Sequence, residues 1–372
     1  MSEISFDAET TATLARFGFD RETFEQLRGR LRAQGRSPEQ NVLKAKVTVP
    51  EAGDVAPLPP RGTPARAALE ERGLAAIGAG QVGVVFLAGG MATRFGGVVK
   101  AAAEVVDGRS FLDVKLADLA VVSARVKGTV PCYLMASFAT ADAVRKLGEA
   151  GRTERVPVET FTQFVSVRLT PEAELFVGAD GRPSLYAPGH GDLTFALRAS
   201  GVLGRFRAGG GKLLMVSNVD NVAATLDPAV IGAHLASGQA LSAEVAPKAP
   251  GDKGGAPARV DGHLEIVESF RFPPAFDQDS IPVFNTNTFV LDAAAIDRAF
   301  DLTWFAVSKK IDGKEGIQFE RLMGQLTTFL PSHFLRVERD GLDGRFQPAK
   351  DPEELASRRD EIRRILSSRG IL

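Results

Sequence analysis

The sequence predicts an α/β fold, a mostly parallel sheet flanked by helices, and three observations carry that expectation. Strand-like runs alternate with helical stretches along most of the chain. The runs VGVVFL, VPCYLM and KLLMV are continuously apolar, as strands covered on both faces must be, where a half-exposed strand would alternate. Polar and glycine-rich residues gather just after those runs, where ligands collect in open α/β sheets.

Composition narrows the class. At 372 residues the chain can hold a large core or two domains, and 44% apolar with 24% charged residues is ordinary for a globular protein. A formal net charge of -1 leaves no basic footprint, so neither nucleic acid nor an anionic membrane is expected as a partner. Cys132 is the only cysteine, which rules out an internal disulfide and makes cytoplasmic residence the expectation. Its place in VPCYLM reads as packing. MSEISFDAET has no basic region followed by an apolar stretch, so no signal peptide is expected. No apolar run approaches the ~20 residues of a spanning helix.

In chain order, residues 1–75 read as a helical N-terminal segment. Phe24, Leu27 and Leu31 recur at helical spacing, and the Pro-rich stretch from Pro50 to Pro64 is a connector. Residues 76–335 carry the alternating elements. The first is the Val82–Leu87 strand, which breaks into Gly89 and Gly90 and leads to Arg94 and Lys100. Paired glycines after a buried strand let backbone N–H groups approach an anion, and Arg94 and Lys100 add two cations. Ser110 and Asp113 stand at capping-box spacing before the helix FLDVKLADLAVVSARV. VPCYLMASF is a strand, ATADAVRKLGEAG a helix and VPVETFTQFVSV a strand. Asp227, Pro228 and Gly238 bracket another helix. Residues 336–372 form a short C-terminal segment with Lys350 ahead of a helix, Glu353 to Leu366.

The glycine loop is not a Walker A loop, because no Lys directly follows a glycine, and Ala92 removes the register of a dinucleotide fingerprint. Other stretches add chemistry. The Gln163 amide, in TFTQF, could read the edge of a base, though a Gln there would ordinarily be a plain strand residue. Gly189 and Gly191 flank His190 in PGHGD, a setting the other three histidines lack. Asn218, Asp220 and Asn221 follow the strand KLLMV. Asp220 could hold Mg²⁺, a cation that takes few protein carboxylates, although such residues also merely turn chains. Glu268, Asn285 and Asn287 are polar residues within apolar strands and need partners. Lys350 alone reads as a surface lysine.

Taken together, LAGGMATRFG with Lys100, TFTQF, PGHGD, SNVDN followed by DP, KGG, IVE, FNTN, GIQFE and RFQPAK resemble the eukaryotic-type UDP-glucose pyrophosphorylase family. The resemblance covers residues 80–355 in the family's order. It departs at Ala92, which replaces a glycine, and at Val99, which stands where proline precedes the lysine. The resemblance implies a Rossmann-like, GT-A-like nucleotidyltransferase fold with a mixed, mostly parallel sheet. It implies Mg-assisted in-line transfer of a uridylyl group from UTP to glucose 1-phosphate, released as UDP-glucose with pyrophosphate. By motif matching, Lys100, Arg94 and Lys350 would be catalytic. Leu87, Gly89, Gly90, Gln163 and Gly189 would hold the nucleotide. His190, Asn218, Gly255, Glu268, Asn285 and Asn287 would hold the sugar phosphate, and Asp220 the metal. The family's C-terminal β-helix domain is not expected in a chain ending at Leu372, so a monomer or weak dimer is expected. Three rivals stand beside this reading: a pyrophosphorylase for another sugar such as N-acetylglucosamine or galactose 1-phosphate, a catalytically silent nucleotide-sugar binder, and a purely structural α/β protein, against which the clustered motifs argue.

Overall fold

A computed structural model describes residues 4–35, 38–92, 97–252, 254–349 and 351–372. Eight strands form its central sheet. Their spatial order is Val55–Pro57, Ser332–Arg336, Leu241–Pro247, Val283–Asp292, Leu213–Asn218, Val82–Leu87, Cys132–Ala136 and Val158–Thr162. All neighbours run parallel except Val283–Asp292, which is antiparallel to both of its own. The mixed, mostly parallel sheet expected from the apolar runs is therefore present.

Val82–Leu87 is continuously apolar because both of its faces are covered. Val84 and Phe86 pack into a core with Ile77, Leu119 and Ile231, while Val85 joins Leu197, Phe206 and Phe289 on the other side. Gly83 makes room for Phe206, whose ring would lie 2.9 Å from a Cβ there. The helix Phe111–Val126 opens on the predicted capping box: Asp113 N–H donates to the Ser110 hydroxyl, and Ser110 N–H donates to the Asp113 carboxylate. Asp227 caps Pro228–Ser237, which ends at Gly238 with φ 65°. That helix crosses Pro64–Gly78 backbone to backbone. A Cβ on Gly73 would lie 1.8 Å from the Pro228 carbonyl oxygen, and one on Gly232 would lie 1.9 Å from that of Leu69.

The ends of the chain are more entangled than their helical pattern suggests. Helices Ala8–Arg16, Arg21–Gln34 and Pro64–Gly78 form, yet the Pro-rich connector also supplies Val55–Pro57 as an edge strand, the position where a strand tolerates proline. Leu14 and Phe24 share one core with Ile362 and Leu366 of the C-terminal helix Pro352–Ser368. His263–Val267 lies in a separate small sheet with Val47–Thr48 and Ala256–Val260. The run VPVETFTQFVSV is two strands, Val158–Thr162 and Ser166–Val167, with Gln163 in the break. Among the described residues, no helix is long and apolar enough to cross a membrane.

Candidate active site

Four parallel neighbours in the sheet end around one cavity of about 330 Å³. From Val82–Leu87 the chain passes to Cys132–Ala136 on one side, whereas Leu213–Asn218 lies on the other, so the cavity opens where the strand order reverses. Its wall is Leu87, Gly89, Gly90, Lys100, Met135, Gln163, Gly189, His190, Asn218 and Asp220. All but Met135 are residues that the sequence marked.

The glycines have unequal reasons. A Cβ on Gly89 would lie 2.6 Å from Gln163 Nε2, and the Gly89 carbonyl accepts from the Ser137 hydroxyl at 2.8 Å. Among the described residues, nothing lies within 4 Å of a Cβ built on Gly90. Met91–Ala92 then pairs antiparallel with Val98–Val99, which turns the chain back until Lys100 N–H donates to Gly90 O at 3.2 Å. Val99 holds φ -64°, the angle a proline would impose, so this departure from the family pattern keeps the backbone course. The Lys100 ammonium pairs with the Asp220 carboxylate, both side chains being partly exposed on the cavity wall. Arg94 and Lys350, the other two expected cations, lie outside the described residues, as do Thr93, Gly96 and Lys253.

Gln163 is 8% exposed, and its Oε1 is buried without a hydrogen-bond partner among the described residues. A buried acceptor left open costs about 1–3 kcal/mol unless a ligand supplies the donor. His190 is oriented from behind: Met323 N–H donates to its Nδ1 at 3.0 Å. Burial pushes the imidazole down to about 4, so the ring is neutral at physiological pH and its remaining proton sits on Nε2. His190 is thus a fixed neutral donor. Gly191 answers a packing demand, because a Cβ there would lie 2.4 Å from the Arg321 backbone. Asp192 is also structural. It is fully buried, accepts from Phe164 N–H and pairs with Arg321, whose guanidinium is stacked between Phe195 and Trp304 at 4.2 Å from each ring.

Beyond Asn218 a second cavity of about 200 Å³ includes Asn218, Gly254, Asn285, Asn287 and Arg339 in its wall. Strand Val283–Asp292 bulges where its register against Ala243 and Val245 shifts, and Asn287 takes φ 57° there. The bulge brings Asn287 Nδ2 to Asn218 Oδ1 at 2.9 Å and leaves Asn287 Oδ1 buried and, among the described residues, unpartnered. Glu268 and Gly255 line neither cavity. They lie against each other, since a Cβ on Gly255 would be 3.1 Å from the Glu268 carboxyl group. Burial raises the Glu268 pKa, with Arg271 opposing it.

Some working residues carry no sequence signal of their own. Ser137 fixes the Gly89 peptide. Arg339 reaches the second cavity between Phe284 and Phe346 while paired with Asp252. Asn221, which the sequence did mark beside Asp220, has a role the sequence did not give: it accepts from Gln347 N–H at 2.9 Å and donates to Arg345 O at 3.0 Å, clipping the segment before Lys350 onto the Asp220 loop. Among the described residues, no group of three or more His, Cys, Asp or Glu side chains could hold a metal, and Asp220 is the one acid on the wall of the larger cavity.

The sequence profile of the family described as UTP–glucose-1-phosphate uridylyltransferase matches residues 22–364. The protein of that name from Encephalitozoon cuniculi is 28% identical over 270 residues, which are 68% of this chain and 53% of that protein. The chain therefore spans about half the length of that relative. In fold, the UDP-N-acetylglucosamine pyrophosphorylase of Trypanosoma brucei aligns with a TM-score of 0.76 at 19% identity, covering 94% of this chain and 79% of that one. A variant of the UDP-glucose pyrophosphorylase of Leishmania major gives 0.71 at 23% identity, with the same two coverages.

Proposed function

The chain belongs to the UTP–glucose-1-phosphate uridylyltransferase family, and from that premise we propose that it transfers the uridylyl group of UTP to glucose 1-phosphate. The sugar phosphate oxygen attacks the α-phosphorus in line, the bond to the β-phosphate breaks, and UDP-glucose and pyrophosphate leave. Nothing covalent is asked of the protein, so its task is to hold two polyanions in line and offset their charge. One observation carries the reading: nine residues marked by nucleotidyltransferase-like motifs converge on one cavity at the switch point of the sheet.

The roles follow from chemistry. Gln163 Oε1, an acceptor without a donor, suits the imide N–H of uracil beside the Gly89 and Gly189 backbone. Neutral His190 offers Nε2–H to a phosphate oxygen or sugar hydroxyl without the cost of a buried imidazolium. Lys100 would leave Asp220 for the phosphates, and Arg94 and Lys350 are the further cations proposed there. The Asp220 carboxylate fits Mg²⁺, which binds through one or two carboxylates plus phosphates; when bound, the ion would neutralise phosphate charge. Asn218, Asn285 and Asn287 suit sugar hydroxyls, above all through the open Asn287 Oδ1. Cytoplasmic residence is part of the same proposal.

The test is pyrophosphate release from UTP with a panel of sugar 1-phosphates, with Mg²⁺ and with chelator. Release with glucose 1-phosphate and Mg²⁺ is expected, at a higher kcat/KM than with the N-acetylglucosamine or galactose compounds. Preference for another sugar would replace glucose and leave uridylyl transfer intact. UTP binding with no release for any sugar would make the chain a nucleotide binder.

A further inference from the structure

Lys115 is a lysine where the helical pattern calls for an apolar residue. In Phe111–Val126 the buried stripe runs through Phe111, Lys115, Asp118, Leu119 and Val122, and Lys115 is fully buried. Burying an ammonium costs several kcal/mol even after relaxation. Among the described ion pairs none includes Lys115, so no carboxylate in direct contact repays that cost. Methionine or leucine would fill the space without it.

The hydrogen bonds and the ring contact of the Lys115 ammonium all fall on the frame of the active site. Its ammonium donates to the Ala224 carbonyl at 2.7 Å and to the Ser217 hydroxyl at 3.3 Å, and lies 5.0 Å from the centroid of the Phe86 ring. Ser217 precedes Asn218, Ala224 closes the turn that carries Asp220 and Asn221, and Phe86 precedes Leu87 in the strand that feeds the glycine loop. One turn along the helix, the buried Asp118 carboxylate accepts from Leu226 N–H at 2.7 Å. The helix therefore holds the loop at both ends, with Lys115 as its contact to the loop's beginning at Ser217.

We propose that Lys115 is a positioning residue that clamps the loop between Ser217 and Ala224, so that Asp220 and Asn218 stand in place for the reacting phosphates. It acts through the loop and touches no substrate. The clamp is a matter of this chain's own contacts; its consequence for turnover rests on the uridylyltransferase reading.

The experiment uses the full chain carrying Lys115→Met, with two readouts. Without ligand, amide exchange should rise across residues 218–225 and stay unchanged in the preceding strand, Leu213–Val216. With UTP and glucose 1-phosphate, kcat/KM should fall about a hundredfold, the scale set by misplacing a group by about 1 Å, with no matching drop in melting temperature. Adding Lys115→Met to Asp220→Ala should cost little beyond Asp220→Ala alone, because both act through one loop. Wild-type exchange in the loop together with wild-type kcat/KM would overturn the proposal. So would a uniform loss of protection with additive kinetics, since that marks a residue needed only for folding. If Lys115→Met does not fold, Ser217→Ala keeps the ammonium and decides by the same readouts: a looser loop and a lower kcat/KM support the clamp, wild-type values overturn it. If wild-type protein turns over no sugar 1-phosphate, the functional reading fails, and the ligand-free exchange still decides the clamp.

Discussion

Two cation–carboxylate pairs flank the loop that carries Asp220, and they are built for opposite ends. Beneath it, Arg345 meets Glu244 fork to fork, Nε to Oε2 at 2.8 Å and Nη2 to Oε1 at 2.6 Å, with both side chains 2% exposed. Burial works against the guanidinium, but Glu244 and Asp227 outweigh it and raise the pKa of Arg345. On the cavity wall, Lys100 meets Asp220 through a single contact, with the two side chains 19% and 16% exposed. A bidentate pair sealed from water is held by geometry that no ligand can offer in exchange. A point charge on one oxygen, reachable by solvent, can exchange that oxygen for a phosphate. The contrast separates an ion pair that stays from one that can part, although each joins one basic to one acidic side chain.

Breaking the buried pair should have the largest effect. Glu244→Ala takes the bidentate partner from a charged Arg345 in the core, and the expected loss is about 3–5 kcal/mol in urea unfolding. A loss below about 1 kcal/mol would mean that Asp227 and the Thr225 carbonyl, which accepts from Nη2 at 3.0 Å, suffice for Arg345. The two pairs would then not differ in kind.

Lys100→Ala should show the opposite signature. Its ion pair is partly exposed, so stability should change by no more than about 1 kcal/mol. Turnover should fall by about 3 kcal/mol, a hundredfold or more, as when one preorganised donor to developing charge is lost. A folded variant with near-normal kcat would remove Lys100 from the mechanism and leave its pair with Asp220 as ordinary surface chemistry.

The same contrast explains what could be read from the sequence. The strand Val82–Leu87 and the helix caps at Ser110 and Asp227 were legible because each follows a local rule of period or capping. The cavity wall was legible because its residues sit immediately after strands. Contacts between distant segments leave no periodic trace. Nothing local announces that Asn221 clips the segment after Arg345, that a bulge turns Asn287 toward Asn218, or that Ser137 fixes Gly89. Gly191 and Asp192 showed the reverse problem. They share a motif with His190, yet their demands are steric and structural, met by the Arg321 backbone and side chain. Lys115 had a signal, a cation on a buried helical stripe, but only its contacts give that signal a meaning.

A smaller effect tests whether open polar atoms mark the ligand. Gln163→Leu removes the unpartnered Oε1, so folding should be unharmed or slightly strengthened. UTP affinity, read by calorimetry, should fall about tenfold, the worth of one hydrogen bond to a buried group. Wild-type affinity would mean that this acceptor does not read the base.

The smallest effect concerns His190, a cavity residue whose charge is set from the core. Its folded pKa is held near 4 by burial, against 6.5 for an ordinary histidine. As pH falls through 6.5 the unfolded chain takes up a proton that the folded chain refuses. The stability this residue contributes is therefore complete above pH 6.5 and is lost progressively toward pH 4. His190→Gln removes the titration, so the variant should lose less stability than wild type as pH falls from 7 to 5. The difference at pH 6 should be less than about 1 kcal/mol, the linkage value for one proton over that interval. His234, also pushed down to about 4, and His333, pushed down as well, are present in both proteins and cancel from the difference. Equal slopes in urea unfolding at pH 7, 6 and 5 would mean that folded His190 accepts its proton normally. The donor facing the cavity would then become an imidazolium as pH falls below about 6.5, and His190 would join Lys100 as a cation of the site only in that acidic range.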